Sequence, residues 1–255
     1  MANKVIFLGT GTSSGVPMLG CDCPVCTSAD VRDKRLRCSV YVEYEGLKLV
    51  VDAGPDFRTQ LLREGIRHVD AVLLTHHHKD HTGGLDDVRS FNYFEQRAFP
   101  IYCEDYVQQS LRREYSYAFD EHPYPGAPQF ELHTITDRPF KIGGVEIVPV
   151  RALHYKLPVL GFRFGKFGYL TDASAITDSE IEKFRGVDIF VVNTIRYEKH
   201  ISHFNVAEAM QVIDAVGARQ SFFTHLSHQL PPHAAFAARL RQGVAPAYDG
   251  LRLDF

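Results

Sequence analysis

Thr75-His76-His77-His78-Lys79-Asp80-His81 is the stretch on which the reading of this chain turns. It follows the apolar run Ala71-Val72-Leu73-Leu74 and precedes Thr82-Gly83-Gly84, so a buried strand delivers a cluster of imidazole and carboxylate groups into a loop. Such groups are ligands for Zn²⁺ and for the harder Mn²⁺ or Fe²⁺. On an extended or tightly turned backbone His76 and His78 point the same way, because side chains alternate with period two. Asp80 and His81 form a second pair just beyond, and the spacing suits two adjacent metals better than one. The same alternation turns His77 away and leaves it no metal to bind.

The surrounding chain is that of an ordinary globular protein. Its 255 residues suffice for one large domain or two small ones, with 45% hydrophobic and 23% charged residues. A formal net charge of -3 supplies no general attraction for a polyanion, so nucleic acid is not the expected partner. No apolar run approaches the roughly 20 residues of a membrane span, and the N-terminus Met1-Ala2-Asn3-Lys4-Val5-Ile6-Phe7-Leu8-Gly9 runs directly into a strand-like segment. A cytoplasmic location without membrane contact is therefore expected, and a homodimer is one possible assembly. Five cysteines make an odd count, and Cys21, Cys23 and Cys26 crowd together. In a reducing compartment that pattern suggests a metal site rather than a disulfide framework.

Taken in order, Val5–Leu8 reads as a buried strand leading into the loop Gly9-Thr10-Gly11-Thr12-Ser13-Ser14-Gly15, whose glycines allow close approach and whose N–H groups could face an anion. The segment from Gly20 to Arg37 is too polar for a core element. Cys38–Tyr44 and Leu47–Asp52 read as paired strands around Glu45-Gly46, and Asp56 as the cap of a short helix through Glu64. Helices are expected over Leu85–Phe94, Val107–Tyr115, Val206–Val216 and Pro231–Arg241. Strands are expected at Ile101–Cys103, Phe130–Ile135, Val145–Val150, Asp188–Asn193 and Arg219–Thr224, with a hairpin from Val159–Phe164 and Phe167–Asp172. Tyr117–Gln129 is an aromatic loop suited either to a lid or to simple packing. Runs of strands in both halves suggest two sheets packed face to face with helices outside.

Three further ligand-type residues stand at strand ends, namely His154, Asp172 and His225. A packed sheet can bring such ends to one edge. We assign His76, His78 and His154 to one metal, Asp80, His81 and His225 to the other, and Asp172 as the bridging carboxylate. Cys21, Cys23 and Cys26 supply three thiolates of a separate structural zinc site, for which tetrahedral coordination wants a fourth ligand. His228, three residues after His225, is the natural candidate.

With the strand ending in Asp52, the pattern His76-x-His78-x-Asp80-His81 and the ordered His154, Asp172 and His225, the chain resembles the metallo-β-lactamase superfamily over nearly its whole length. The resemblance implies an α+β protein, an αββα four-layer sandwich with a dinuclear site at one edge of the two sheets. Residues 1–255 then form a single hydrolase domain with a Cys-rich zinc insertion at about 20–37. Asp52 is implied to orient a metal-binding histidine or the motif loop. Gly9-x-Gly11, the cysteine insertion and Thr224-His225-x-Ser227-His228 narrow the resemblance to the PhnP-like subgroup of phosphoribosyl cyclic phosphodiesterases.

That subgroup implies hydrolysis of a small cyclic phosphodiester by a hydroxide bridging two divalent metals, Mn or Zn, with a third, structural Zn elsewhere. His203, just ahead of the helix at Val206, is implied as the histidine that protonates the leaving alkoxide, and Asp80 is given a part in catalysis besides its place as a ligand. The competing readings are a tRNA 3′-processing endonuclease, which would bring an RNA-binding arm and a basic surface, and a lactonase. A non-catalytic metal-binding protein would be marked by a substituted ligand, and all seven positions are intact.

Overall fold

A computed structural model describes residues 3–255. Its strands form two sheets of seven. The first contains β1 (Lys4–Gly9), β2 (Ser39–Tyr44), β3 (Leu47–Val51), β4 (Ala71–Leu73), β5 (Phe99–Cys103), β6 (Phe130–Thr134) and β14 (Arg252–Asp254), in the order β14-β1-β2-β3-β4-β5-β6. The second contains β7 (Phe140–Ile142), β8 (Val145–His154), β9 (Leu157–Phe164), β10 (Phe167–Leu170), β11 (Ile189–Asn193), β12 (Gln220–Thr224) and β13 (Val244–Pro246), in the order β13-β12-β11-β10-β9-β8-β7.

Alternation along the strands explains the layering. Val5 and Phe7 of β1 face the second sheet, in a core shared with Val40, Leu49, Leu73, Phe162, Tyr169 and Val191. Ile6 and Leu8, from the same strand, face outward onto a helical layer with Phe57 and Leu61. A matching outer layer joins Val150, Phe190 and Val192 to Ala209, Val212 and Ile213. The result is the four-layer α+β sandwich anticipated. β4 runs parallel between β3 and β5, is covered on both faces, and is accordingly apolar throughout.

The helices are α1 (Phe57–Glu64), α2 (Lys79–Thr82), α3 (Arg89–Glu95), α4 (Asp105–Glu114), α5 (Asp178–Glu182), α6 (Val206–Val216) and α7 (His233–Ala237). α6 starts on a capping box between Asn205 and Glu208 and stops at Gly217 in the left-handed conformation. Four local expectations are corrected. Leu85–Val88 is a 3₁₀ turn rather than the first turn of α3. α7 is only five residues long. Asp56 makes no side-chain cap to α1, because its carboxylate accepts instead from the Arg37 backbone N–H at 2.8 Å and pairs with the Arg37 guanidinium.

The fourth correction concerns Gly20–Arg37, which is not all surface. Asp33 and Arg35 are buried, and both are hydrogen-bonded there. Asp33 accepts from Ser28 and from the His233 N–H, and Arg35 donates to Thr10 and to the Ala247 carbonyl. Polar residues can be buried when every donor finds an acceptor. This network ties the segment to the C-terminal part of the chain. The glycine loop does make the close approach expected, since a Cβ at Gly9 would lie 1.9 Å from the Arg37 carbonyl oxygen. Its Gly11 N–H, however, is spent on Leu36 O and its Gly15 N–H on Thr12 O, not on an anion.

The loop at 117–129 packs against α3, where Asn92 donates to Gln129 O and accepts from its N–H. Together they line a hollow of about 550 Å³ that contains none of the metal-ligand candidates. Among the described residues no helix is long and apolar enough to cross a membrane.

Candidate metal centres

The strand ends meet at one edge of the two sheets. There the ligand atoms of His76, His78 and His154 lie within 4.8 Å of one another, as do those of Asp80, His81, Asp172 and His225. These are the two groups assigned from sequence, with Asp172 between them. Its Oδ2 is 3.2 Å from His81 Nε2 and 3.8 Å from His76 Nε2, while its Oδ1 is 3.1 Å from His225 Nε2.

Local backbone makes this convergence possible. His76 and His78 lie on the extended segment after β4, with ring centroids 4.6 Å apart. The short helix α2 then turns Asp80 and His81 back toward the edge. A Cβ at Gly54 would sit 2.0 Å from the Asp80 carbonyl oxygen, so glycine lets the turn after β3 lie directly on α2. Asp52, Asp172 and His225 each follow a strand with φ of 65°, 57° and 55°. That conformation costs energy in a residue with a Cβ and collects at functional sites. Nothing in the residue types announces it.

The histidines are held from behind, so their tautomers can be inferred. His81 Nδ1 donates to Asp52 Oδ2 at 2.7 Å, and His154 Nδ1 to the Ser202 carbonyl at 2.6 Å. Thr75 Oγ1 gives its proton to Asp52, so it accepts from His76 Nδ1 at 2.9 Å. In all three rings this leaves Nε2 turned into the site. Asp52 therefore acts as the resemblance implied, while Thr75 and the Ser202 carbonyl are supports that carried no sequence signal.

Buried His76 Nε2 and both ring nitrogens of His225 have no hydrogen-bond partner. A lone pair such as that of His76 facing a carboxylate is unfavourable unless a cation lies between them. The donor set of imidazole nitrogens and carboxylate oxygens thus fits a pair of divalent cations. Burial, reinforced by His81, pushes His76 well below the usual imidazole range. For His81 burial favours the neutral ring, but the carboxylates of Asp172, Asp52 and Asp80 outweigh it and hold the imidazole well above that range. Burial opposes charge on Asp172 too, yet His225 and His81 keep it well below the usual carboxylate range.

His203 is not exposed, as helix capping alone would have left it. Its ring stacks at 4.7 Å on His225 and lies 4.6 Å from His154, and a ring nitrogen is within 4.8 Å of ligand atoms of Asp172 and His154. Burial, and then His225, push it down to about 3. His77 belongs to neither ligand group and packs edge-on against Tyr106 at 5.5 Å.

A second cluster lies beside the first. Cys21, Cys23, Cys26 and His228 bring their ligand atoms within 4.8 Å of one another, with His228 Nδ1 3.2 Å from Cys21 Sγ and 3.6 Å from Cys23 Sγ. Backbone N–H groups of Cys26 and Met18 donate to Cys23 and Cys26, which favours thiolates. The Cys26 N–H, against burial, brings Cys23 down to about 6, whereas burial raises Cys26 to about 11. Three sulfurs and one imidazole fit tetrahedral zinc.

Residues 48–226 match the family described as the beta-lactamase superfamily domain. The chain is 40% identical over 251 residues to an octanoyltransferase of Porphyromonas gingivalis, a match that takes in 97% of this chain and 51% of the relative. It therefore spans about half the length of that relative. A crystal structure of a diphosphatase from the PhnP family superposes with a TM-score of 0.93 at 38% identity, covering 100% of this chain and 98% of the other. Zn²⁺-bound PqqB from Methylobacterium extorquens superposes with a TM-score of 0.79 at 19% identity over 99% of this chain and 100% of PqqB, a likeness of fold alone.

Proposed function

The chain belongs to the beta-lactamase superfamily as a PhnP-like member of a hydrolase family, and on that premise we propose that it is a dinuclear metal-dependent phosphodiesterase acting on a small cyclic phosphodiester. The observation that carries the reading is Asp172, whose carboxylate faces both ligand groups, with Oδ2 3.8 Å from His76 Nε2 of the first and 3.2 Å from His81 Nε2 of the second, and Oδ1 3.1 Å from His225 Nε2. One carboxylate shared in that way suits two cations rather than one. His76, His78 and His154 would hold the first, and Asp80, His81 and His225 the second. Two such cations supply Lewis acidity to a phosphoryl group and lower the pKa of water. Zn or Mn satisfies the donor set, and a third, structural Zn fits Cys21, Cys23, Cys26 and His228.

The chain's own residues then have distinct tasks. Asp52, Thr75 and the Ser202 carbonyl fix the imidazoles before substrate arrives, so the site needs little reorganisation. Asp80, with its side chain 13% exposed against 2% for Asp172, is the carboxylate open to water and is placed to orient the attacking molecule. His203 stands beside Asp172 and delivers a proton to the leaving oxygen. This assignment follows from its position, not from its charge in the substrate-free protein. We take the partner to be a small phosphodiester rather than nucleic acid or a membrane.

The diphosphatase at 38% identity favours a second substrate arm, since a phosphoanhydride also presents an anionic phosphorus to such a site. Purified protein loaded with Mn²⁺ or Zn²⁺ should be assayed on bis(p-nitrophenyl) phosphate, ribose cyclic phosphates, a nucleoside diphosphate, pre-tRNA and a lactone. Turnover of the cyclic phosphates is expected. Lactone hydrolysis with no phosphoester turnover would reject the reading. An octanoyl-transfer assay completes the panel and is expected to be negative, because the relative with that name is about twice as long.

A further inference from the structure

We infer that Thr171 and Cys38 are positioning residues that aim the Asp172 carboxylate, through a one-way hydrogen-bond chain joining the two sheets beneath the proposed metal site. The inference rests on the reading of Asp172 as the carboxylate shared by two metals. Cys38 stands just before β2 in the first sheet. Tyr169, Thr171 and Thr224 stand at or beside the ends of β10 and β12 in the second. All four side chains are at most 1% exposed. Cys38 Sγ lies 3.1 Å from Tyr169 Oη, 3.0 Å from Thr224 Oγ1 and 3.6 Å from Thr171 Oγ1. Thr171 Oγ1 in turn donates to Asp172 Oδ1 at 2.9 Å.

Counting protons gives the chain its direction. A hydroxyl carries one proton, and that of Thr171 goes to Asp172, so toward Cys38 the Thr171 oxygen can only accept. The Cys38 thiol proton must then point at Thr171. The sulfur is left as the acceptor for Tyr169 and Thr224, whose hydroxyls have no other acceptor among the described residues. Every proton has one destination, and the sequence of donors ends on Asp172 Oδ1.

The consequence lies in a torsion. A carboxylate rotates in a broad, nearly two-fold well about its last bond. The Thr171 hydrogen bond holds Oδ1 on the His225 side and so leaves Oδ2 toward His81 and His76. Thr224, at the other end of the cluster, immediately precedes His225. The cluster thus grips the residues before both Asp172 and His225.

Three variants test this. Thr171→Val keeps the shape but cannot donate, Cys38→Ala removes the shared acceptor, and Cys38→Ser can reproduce both roles of the sulfur. The readouts are stepwise metal affinity by chelator competition with Mn²⁺ and Zn²⁺, kcat and KM on bis(p-nitrophenyl) phosphate, and Tm of the metal-loaded protein. Thr171→Val is expected to weaken one of the two metal equivalents of the edge site by about 10–100-fold and to lower kcat more than KM changes. Cys38→Ala should move metal affinity in the same direction, and Cys38→Ser should retain most of it. Wild-type affinity for both metals in Thr171→Val, even with a lowered Tm, would overturn the inference and leave a structural role. Wild-type protein that binds no metal pair would overturn it together with the proposed function. A protein that binds two metals but hydrolyses no phosphodiester would refute only the substrate, and the affinity difference between variants would still decide the positioning role.

Discussion

Asp52 Oδ2 and His81 Nδ1 lie 2.7 Å apart in the completely buried interior behind the site, although 29 positions separate them in sequence. The carboxylate fixes which nitrogen of His81 carries the proton. Replacing Asp52 with Asn turns an amide N–H₂ or a weaker carbonyl acceptor toward that ring and disturbs the Thr75 hydrogen bonds as well. We expect Asp52→Asn to bind one metal equivalent about 10–100-fold more weakly, as measured by chelator competition. Unchanged affinity would show that His81 is held by other contacts.

Neighbouring histidines should differ sharply. His78 belongs to a ligand group with His76 and His154, whereas His77 packs on Tyr106. His78→Ala should lose one bound metal and most turnover, and His77→Ala should keep the metal pair with activity within about threefold, the scatter of a substitution that breaks no named interaction. Metal stoichiometry by elemental analysis separates the two.

His203→Ala should keep both active-site metals, since its ring lies outside the seven assigned ligands, while kcat falls by about 10²–10⁴, the range for a lost general acid. Full metal content with undiminished kcat would remove His203 from the mechanism.

Zinc in the cysteine cluster should be independent of the edge site. His76→Ala combined with His78→Ala is expected to retain one tightly held zinc, and Cys21→Ser combined with Cys23→Ser to lose it. Because Gly11 and Leu226 form a β-bridge beside this cluster, the cysteine variant should also show faster hydrogen exchange around His225–His228. Equal zinc loss in both variants would mean that one shared site had been misread as two.

Away from the site, His68 bridges Asp70 at 3.0 Å and Glu95 at 2.8 Å. Asp70, with Glu95 adding to it against partial burial, raises the His68 pKa above its ordinary 6.5. A raised folded-state pKa stabilises the protein most below pH 6.5, and the benefit disappears as pH rises through the higher folded value. The side chain is 42% exposed, so the effect is small. Wild type should exceed His68→Gln by about 1–2 °C in Tm near pH 5.5 and converge with it near pH 9. A constant difference across that range would rule out the titration.

Local pattern alone determined much of this protein. The apolar runs before His76 and at Val5–Leu8 and the spacing in Val206–Val216 specify strand, strand and helix, because each records which residues must leave water. Residue chemistry likewise marked His76, His78, Asp80, His81, His154, Asp172 and His225 as ligand types, and the two groups they form are those expected. Tertiary structure decided what depends on partners far along the chain. Asp56 has the residue type of a helix cap, yet Arg37 claims its carboxylate. Arg35 reads as surface, yet finds buried acceptors at Thr10 and Ala247. His203 enters the site because the loop before α6 folds under His154. Cys38, an ordinary apolar residue in sequence, meets three hydroxyls from the opposite sheet. Periodicity encodes burial, but a hydrogen bond needs a particular donor and acceptor at about 3 Å, and only the packed chain brings those atoms together.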